Sequence, residues 1–245
     1  MTDVLRSEWT KIRSVRSTVW LLIGGVLSMV GFAILIALAE IANNETGDPA
    51  STGLAGTPIA ALLMAVLGVV VISGEYRTGM IRTTLLAVPR RVRVLTAKAV
   101  VLTAVVFAVM LPATFAGFFA AQVLFGDQAA SLADPGVLRA VVGSALYITA
   151  GALFGLGLGA AIRHTAGGIV AVFLSLMLLP QMSGLLPGEW GYQVHRFFTT
   201  NAGQQVAIIS TQPGQLGPWQ GFAVYCAWVA AALVAAAVLL RRRDA

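Results

Sequence analysis

Leu5, Trp9, Ile12 and Val15 recur three or four residues apart, while Arg6, Lys11, Arg13 and Arg16 lie mostly elsewhere around the same helical wheel. That pattern predicts an amphipathic helix over residues 3–17 lying at a membrane interface. The pattern then changes to uninterrupted apolar runs separated by short polar stretches. Residues 17–39 carry no charge until Glu40 and, at about 1.5 Å per residue, can cross a hydrocarbon core of roughly 30 Å. Ala37, Leu38 and Ala39 resemble a signal-peptidase site, but the run exceeds the roughly 7–15 residues of a signal h-region and is read as an uncleaved span. Further runs follow, giving six predicted spans at about 18–39, 58–73, 99–125, 140–162, 165–186 and 219–240. The expected fold is all-α, a single polytopic membrane domain over residues 1–245.

The interruptions carry their own signals. Pro112 inside the third run predicts a bend more readily than a gate. Gly151, Gly155 and Gly159 fall four apart on one face of the fourth run, which predicts close helix packing, because small residues let backbones approach in lipid. Residues 187–218 are too polar for a simple span, yet Phe197, Phe198, Val206, Ile208 and Ile209 interleave with Asn201, Gln204 and Gln205. Two short helices dipping into the bilayer would satisfy that pattern. The most charged interruption is 73–98, with Arg77, Arg82, Arg90, Arg91, Arg93 and Lys98. Pro89 bounds a short helix at about 75–88.

Composition changes the class. With 58% hydrophobic and 11% charged residues and a mean hydropathy of +0.86, the chain is an integral membrane protein. The net charge of +6 would suit nucleic acid on a soluble surface, but here it lies at the ends of apolar runs, so no nucleic-acid partner is expected. With a cytoplasmic N-terminus, four basic residues of the first segment, six of the central loop, Arg163 and the last three fall inside, which is 14 of 16; Arg139 and Arg196 fall outside. The expected topology therefore has both termini cytoplasmic. Cys226 is the single cysteine, so an internal disulfide or a cysteine metal cluster is excluded. No Asp, Glu, Lys, Arg or His lies within the six apolar cores, His164 and His195 lie at opposite span ends, and no GxxxxGK[ST] loop is present. Catalytic and metal residues are therefore expected to be absent, and if the chain takes part in active transport, the energy must come from a separate subunit. A membrane-embedded enzyme or scaffold, and a passive channel or signalling subunit, are the alternative readings.

The segments GEYRTGMIRTTLLAVPRRVRVLTAK, FFTTNAGQQVAI, SEWTKIRS and LLRRRDA together resemble ABC transporter permeases of the type-2 export class, in particular single-domain actinobacterial forms. The resemblance covers the chain in order of elements. It implies a transmembrane subunit in the bacterial plasma membrane, forming a homodimer or a heterodimer with a related permease, surrounded by lipid and docked to a separate ABC ATPase that binds ATP and Mg. The amphipathic start would be an elbow helix. Glu75, Tyr76, Arg77, Thr78, Gly79, Met80, Ile81 and Arg82 would lie on a cytoplasmic coupling helix seated in the ATPase. Residues 187–218 would form extracellular re-entrant helices, with Phe197, Asn201, Gln204 and Gln205 in the gate region. Met64, Phe173 and Met177, on the second and fifth spans, would border a substrate path between protomers.

Overall fold

The computed structural model describes residues 2–44, 47–80, 91–210 and 214–242. Helices dominate, and six of them are long and apolar enough to cross a membrane: span 1 (Arg16–Asn43), span 2 (Thr57–Arg77), span 3 (Arg91–Phe125), span 4 (Val137–Ile162), span 5 (Thr165–Ser183) and span 6 (Pro218–Arg242). An N-terminal helix, Thr2–Ser14, precedes them and packs on spans 1 and 3. Its buried Ile12 meets Val101 and Val105 of span 3, with Leu5 and Leu22 alongside, while Trp9 and Val15 of the same stripe are exposed.

Span 4 is the centre of the bundle, packing on spans 2, 3 and 6, and its contact with span 2 is the most extensive in the molecule. Three glycines explain the approach. A Cβ at Gly151 would come 3.3 Å from the Ala61 carbonyl oxygen, one at Gly155 would collide with the Ala65 backbone, and one at Gly159 would come 2.9 Å from Val69 Cα. Each step of four residues on span 4 therefore meets a step of four on span 2, backbone against backbone.

Two long helices extend past their apolar stretches. Span 2 runs through Glu75 and Tyr76 to Arg77 and stops where Gly79 takes a left-handed φ of +71°. Residues 75–77 thus continue the second span, whereas the sequence pattern placed them at the start of a separate helix. Span 3 already begins at Arg91, so Lys98 lies inside it. The remainder of the expected coupling helix, including Ile81 and Arg82, lies outside the described residues.

Residues 187–218 contain two short helices, Gly188–Phe197 and Thr199–Gly203, and a 3₁₀ turn, Gln204–Val206. Arg139 at the start of span 4 holds the following segment by donating to the carbonyls of Val206 (3.2 Å) and Ile209 (2.9 Å).

Candidate functional sites at the two ends of the bundle

At one end, four charged side chains from three helices close into a buried ring. Lys98 Nζ donates to Glu8 Oε2 and, at 2.9 Å, to Glu75 Oε1. Lys11 Nζ donates to Glu8 Oε1 and to Glu75 Oε1, both at 2.8 Å. Glu8 and Lys98 are 1% exposed and Glu75 is 3% exposed, so water contributes little to their solvation. Removing such ions from water costs several kcal/mol each, and only mutual hydrogen bonding in this geometry offsets it. Two acids and two bases cancel, which is why the ring tolerates burial. The consequence is specificity of position: the N-terminal helix, the end of span 2 and the start of span 3 are fixed to one another. Partial burial alone would lower the pKa of Lys11, but hydrogen bonds to the Glu75 and Glu8 carboxylates outweigh it and raise the amine above the usual 10.5.

The same end gathers Arg163 from the turn between spans 4 and 5. Its guanidinium carbon lies 5.3 Å from the centroid of the Tyr76 ring, and Nη2 reaches the Leu239 carbonyl of span 6 at 3.4 Å. Thr165 Oγ1 donates to Ser73 Oγ at 2.9 Å, joining spans 5 and 2. Glu75, Tyr76 and Arg77 thus stand where five spans converge.

At the other end, span 5 changes register. Residues Leu174–Leu178 form a π turn in which the Leu179 N–H returns to the Leu174 carbonyl, and Pro180 supplies no N–H at all. The carbonyls of Ser175 and Leu176 are satisfied from outside the helix: Thr199 Oγ1 donates to Ser175 O at 2.6 Å and Thr200 Oγ1 to Leu176 O at 2.7 Å. Asn201 Nδ2 lies 3.1 Å from His195 Nδ1 and donates to the His195 carbonyl at 2.9 Å, while Ser183 Oγ lies 2.9 Å from His195 Nδ1. Ser183 directs its hydroxyl proton to the Pro180 carbonyl (2.6 Å), so this Ser–His contact is a structural link and lacks the geometry of an activated nucleophile.

Beside this cluster lies a cavity of about 240 Å³ lined by Pro58, Leu62, Tyr147, Met177, Gln181 and Gln204, among others. It brings together the sequence-derived candidates Met177, Asn201 and Gln204. Gln205 turns away, 8% exposed and donating to the Asn201 carbonyl at 3.2 Å. Phe197 is exposed beside Arg196, and Phe173 is exposed on the outer face of span 5. Met64 is fully buried in the core, close to Gly25 and Met110, and borders no cavity described here.

Glu8 and Lys98 are the residues that sequence reasoning passed over. A signal existed: Lys98 is one of two lysines and opens the longest apolar run, a place where an unpaired ammonium would be costly. Among the described residues, no group of three or more His, Cys, Asp or Glu is placed to hold a metal ion.

A search of curated proteins gave no significant match. The family model described as ABC-2 family transporter protein matches residues 4–179, from the N-terminal helix to span 5, and with six spans behind that match the chain belongs to this family of type-2 ABC permeases, the membrane components of transporters.

Proposed function

We propose that this chain is the membrane subunit of an ATP-driven exporter, working as a dimer and coupled to a separate ATPase at the end that carries the charged ring. The observation that carries the reading is the position of Glu75. It accepts from both lysines, four residues before the break at Gly79, and directly precedes the arginine-rich segment expected to dock. A force on that segment would pass through Glu75 to the N-terminal helix and span 3 without bond chemistry in this chain. At the opposite end, the threonine-capped π turn joins span 5 to the short helices expected to cap the exit, and the neutral cavity beside it serves as the outward part of the path. ATP and Mg are bound by the partner. The bacterial plasma membrane and cytoplasmic termini follow from the family resemblance and the distribution of basic residues.

The test uses the complex purified through this chain. Thr83→Pro breaks any helix in the loop without changing its charge, at a cost of about 3 kcal/mol, and Arg82→Glu reverses a charge available for charge-assisted docking. Both variants reach the membrane at normal levels but lose ATPase co-purification and substrate-stimulated ATP hydrolysis, while Arg91→Glu does much less. Retention of both activities in Thr83→Pro and Arg82→Glu would remove the coupling role from this loop.

A further inference from the structure

A second cavity, of about 160 Å³, lies beside the charged ring where the N-terminal helix meets the beginning of span 1 and the end of span 2. Its walls divide by chemistry. Ile12, Val15 and Val71 make an apolar side, and Lys11, Glu75 and Arg77 make a polar side. Span 1 begins at Arg16 and span 2 ends at Arg77, so the cavity opens where the apolar stretches of two spans end, the depth expected for lipid headgroups.

The charges are unevenly satisfied. Glu75 Oε1 accepts from both lysines, whereas its buried Oε2 has no hydrogen-bond partner. Lys11 is partly exposed, with 22% of its side-chain surface accessible. Arg77 is exposed and forms no ion pair with any described residue. Taken with Glu8 and Lys98, the group holds three cations against two carboxylates, an excess of one positive charge.

We infer that this cavity binds one anionic phospholipid whose headgroup carries a hydroxyl, of the phosphatidylglycerol kind. The phosphodiester cancels the excess charge and pairs with Arg77 and the exposed edge of Lys11. A headgroup hydroxyl supplies the donor that Glu75 Oε2 lacks. The upper part of an acyl chain lies along Ile12, Val15 and Val71. A zwitterionic headgroup leaves the excess charge in place, and a choline headgroup has no N–H or O–H to offer Glu75. Lipid at this position clamps the N-terminal helix to span 2 and so supports the ring from its open side.

The test is competitive lipid retention by the purified full chain in detergent. Equal amounts of phosphatidylglycerol, phosphatidylethanolamine and phosphatidylcholine are added, and bound lipid is read by native mass spectrometry. Phosphatidylglycerol is retained preferentially, and Arg77→Gln weakens it on the order of fivefold. Val71→Trp, which fills the apolar side, also lowers its retention. Arg13→Gln, an exposed charge on the N-terminal helix away from the cavity lining, leaves it unchanged. Equal retention of the three lipids, a preference for phosphatidylethanolamine, or the same loss in Arg13→Gln as in Arg77→Gln would overturn the assignment. Arg77 is solvent-exposed, so its variant tests binding even where Val71→Trp folds poorly.

Discussion

Lys98→Met removes the ammonium at the centre of the charged ring while keeping much of the side chain's volume. Two carboxylates then face one ammonium in a site where Glu8 is 1% and Glu75 3% exposed. Deleting one partner of a buried ion pair costs about 3–5 kcal/mol, because the remaining charge is neither solvated nor paired. The effect is charge-specific, so a second substitution separates it from lost packing. Glu75→Gln combined with Lys98→Met leaves Glu8 paired with Lys11, at 2.8 Å, and restores neutrality. The double variant is therefore more stable than Lys98→Met alone, with a coupling energy of roughly 1–3 kcal/mol. Thermal unfolding in one detergent, for wild type, both single variants and the double, gives the cycle. A double variant that melts at the sum of the two single effects, or a Lys98→Met protein that melts with wild type, would refute the account of the ring as a mutually dependent unit.

Three other outcomes follow from the same structure. Gly155→Ala forces a methyl into the Ala65 backbone and destabilises by about 1–3 kcal/mol in the same unfolding assay, whereas Gly31→Ala, with nothing within 4 Å, is neutral or slightly stabilising. Thr200→Val removes the donor to the Leu176 carbonyl and lowers stability by about 1–3 kcal/mol, while Thr200→Ser restores it. Lys11 has a raised pKa in the fold, so its contribution is fully present below 10.5 and is lost as pH rises through the higher folded value. Melting temperature followed through that alkaline range falls later in Lys11→Arg, whose guanidinium stays protonated.

The spans were legible because each is a long apolar run, a signal that survives without any knowledge of partners. The glycine spacing on span 4 was legible for a related reason: a repeat of four residues defines a face whatever packs on it. The charged ring was not. Glu8, Glu75 and Lys98 lie far apart in the chain, and each resembles an ordinary polar residue near a span end until the N-terminal helix folds back onto span 3. The assignment of residues 75–77 to a separate helix failed for the same reason. A lone Glu75 would end an apolar helix, but Lys11 and Lys98 neutralise it, and the helix continues until Gly79 stops it. The π turn was likewise hidden, because the hydroxyls that satisfy its carbonyls come from Thr199 and Thr200, about 24 residues further on.

Span 2 gives these separate features a common mechanical logic. One end lines the neutral cavity through Pro58, Ala61 and Leu62, and the other carries Glu75 into the ring. Between them Ala61, Ala65 and Val69 press against the glycines of span 4 with little side chain intervening. Such a contact is specific in register, because the backbone of span 2 fits only where span 4 has a glycine, so displacing span 2 carries span 4 with it. Its attachment to charged groups is at one end, where Glu75 accepts from Lys11 and Lys98. On the proposed coupling, motion begins at the charged end and is transmitted by the helix as a whole. On that reading the charged ring sets where span 2 begins, and the glycine seam passes its displacement on to span 4.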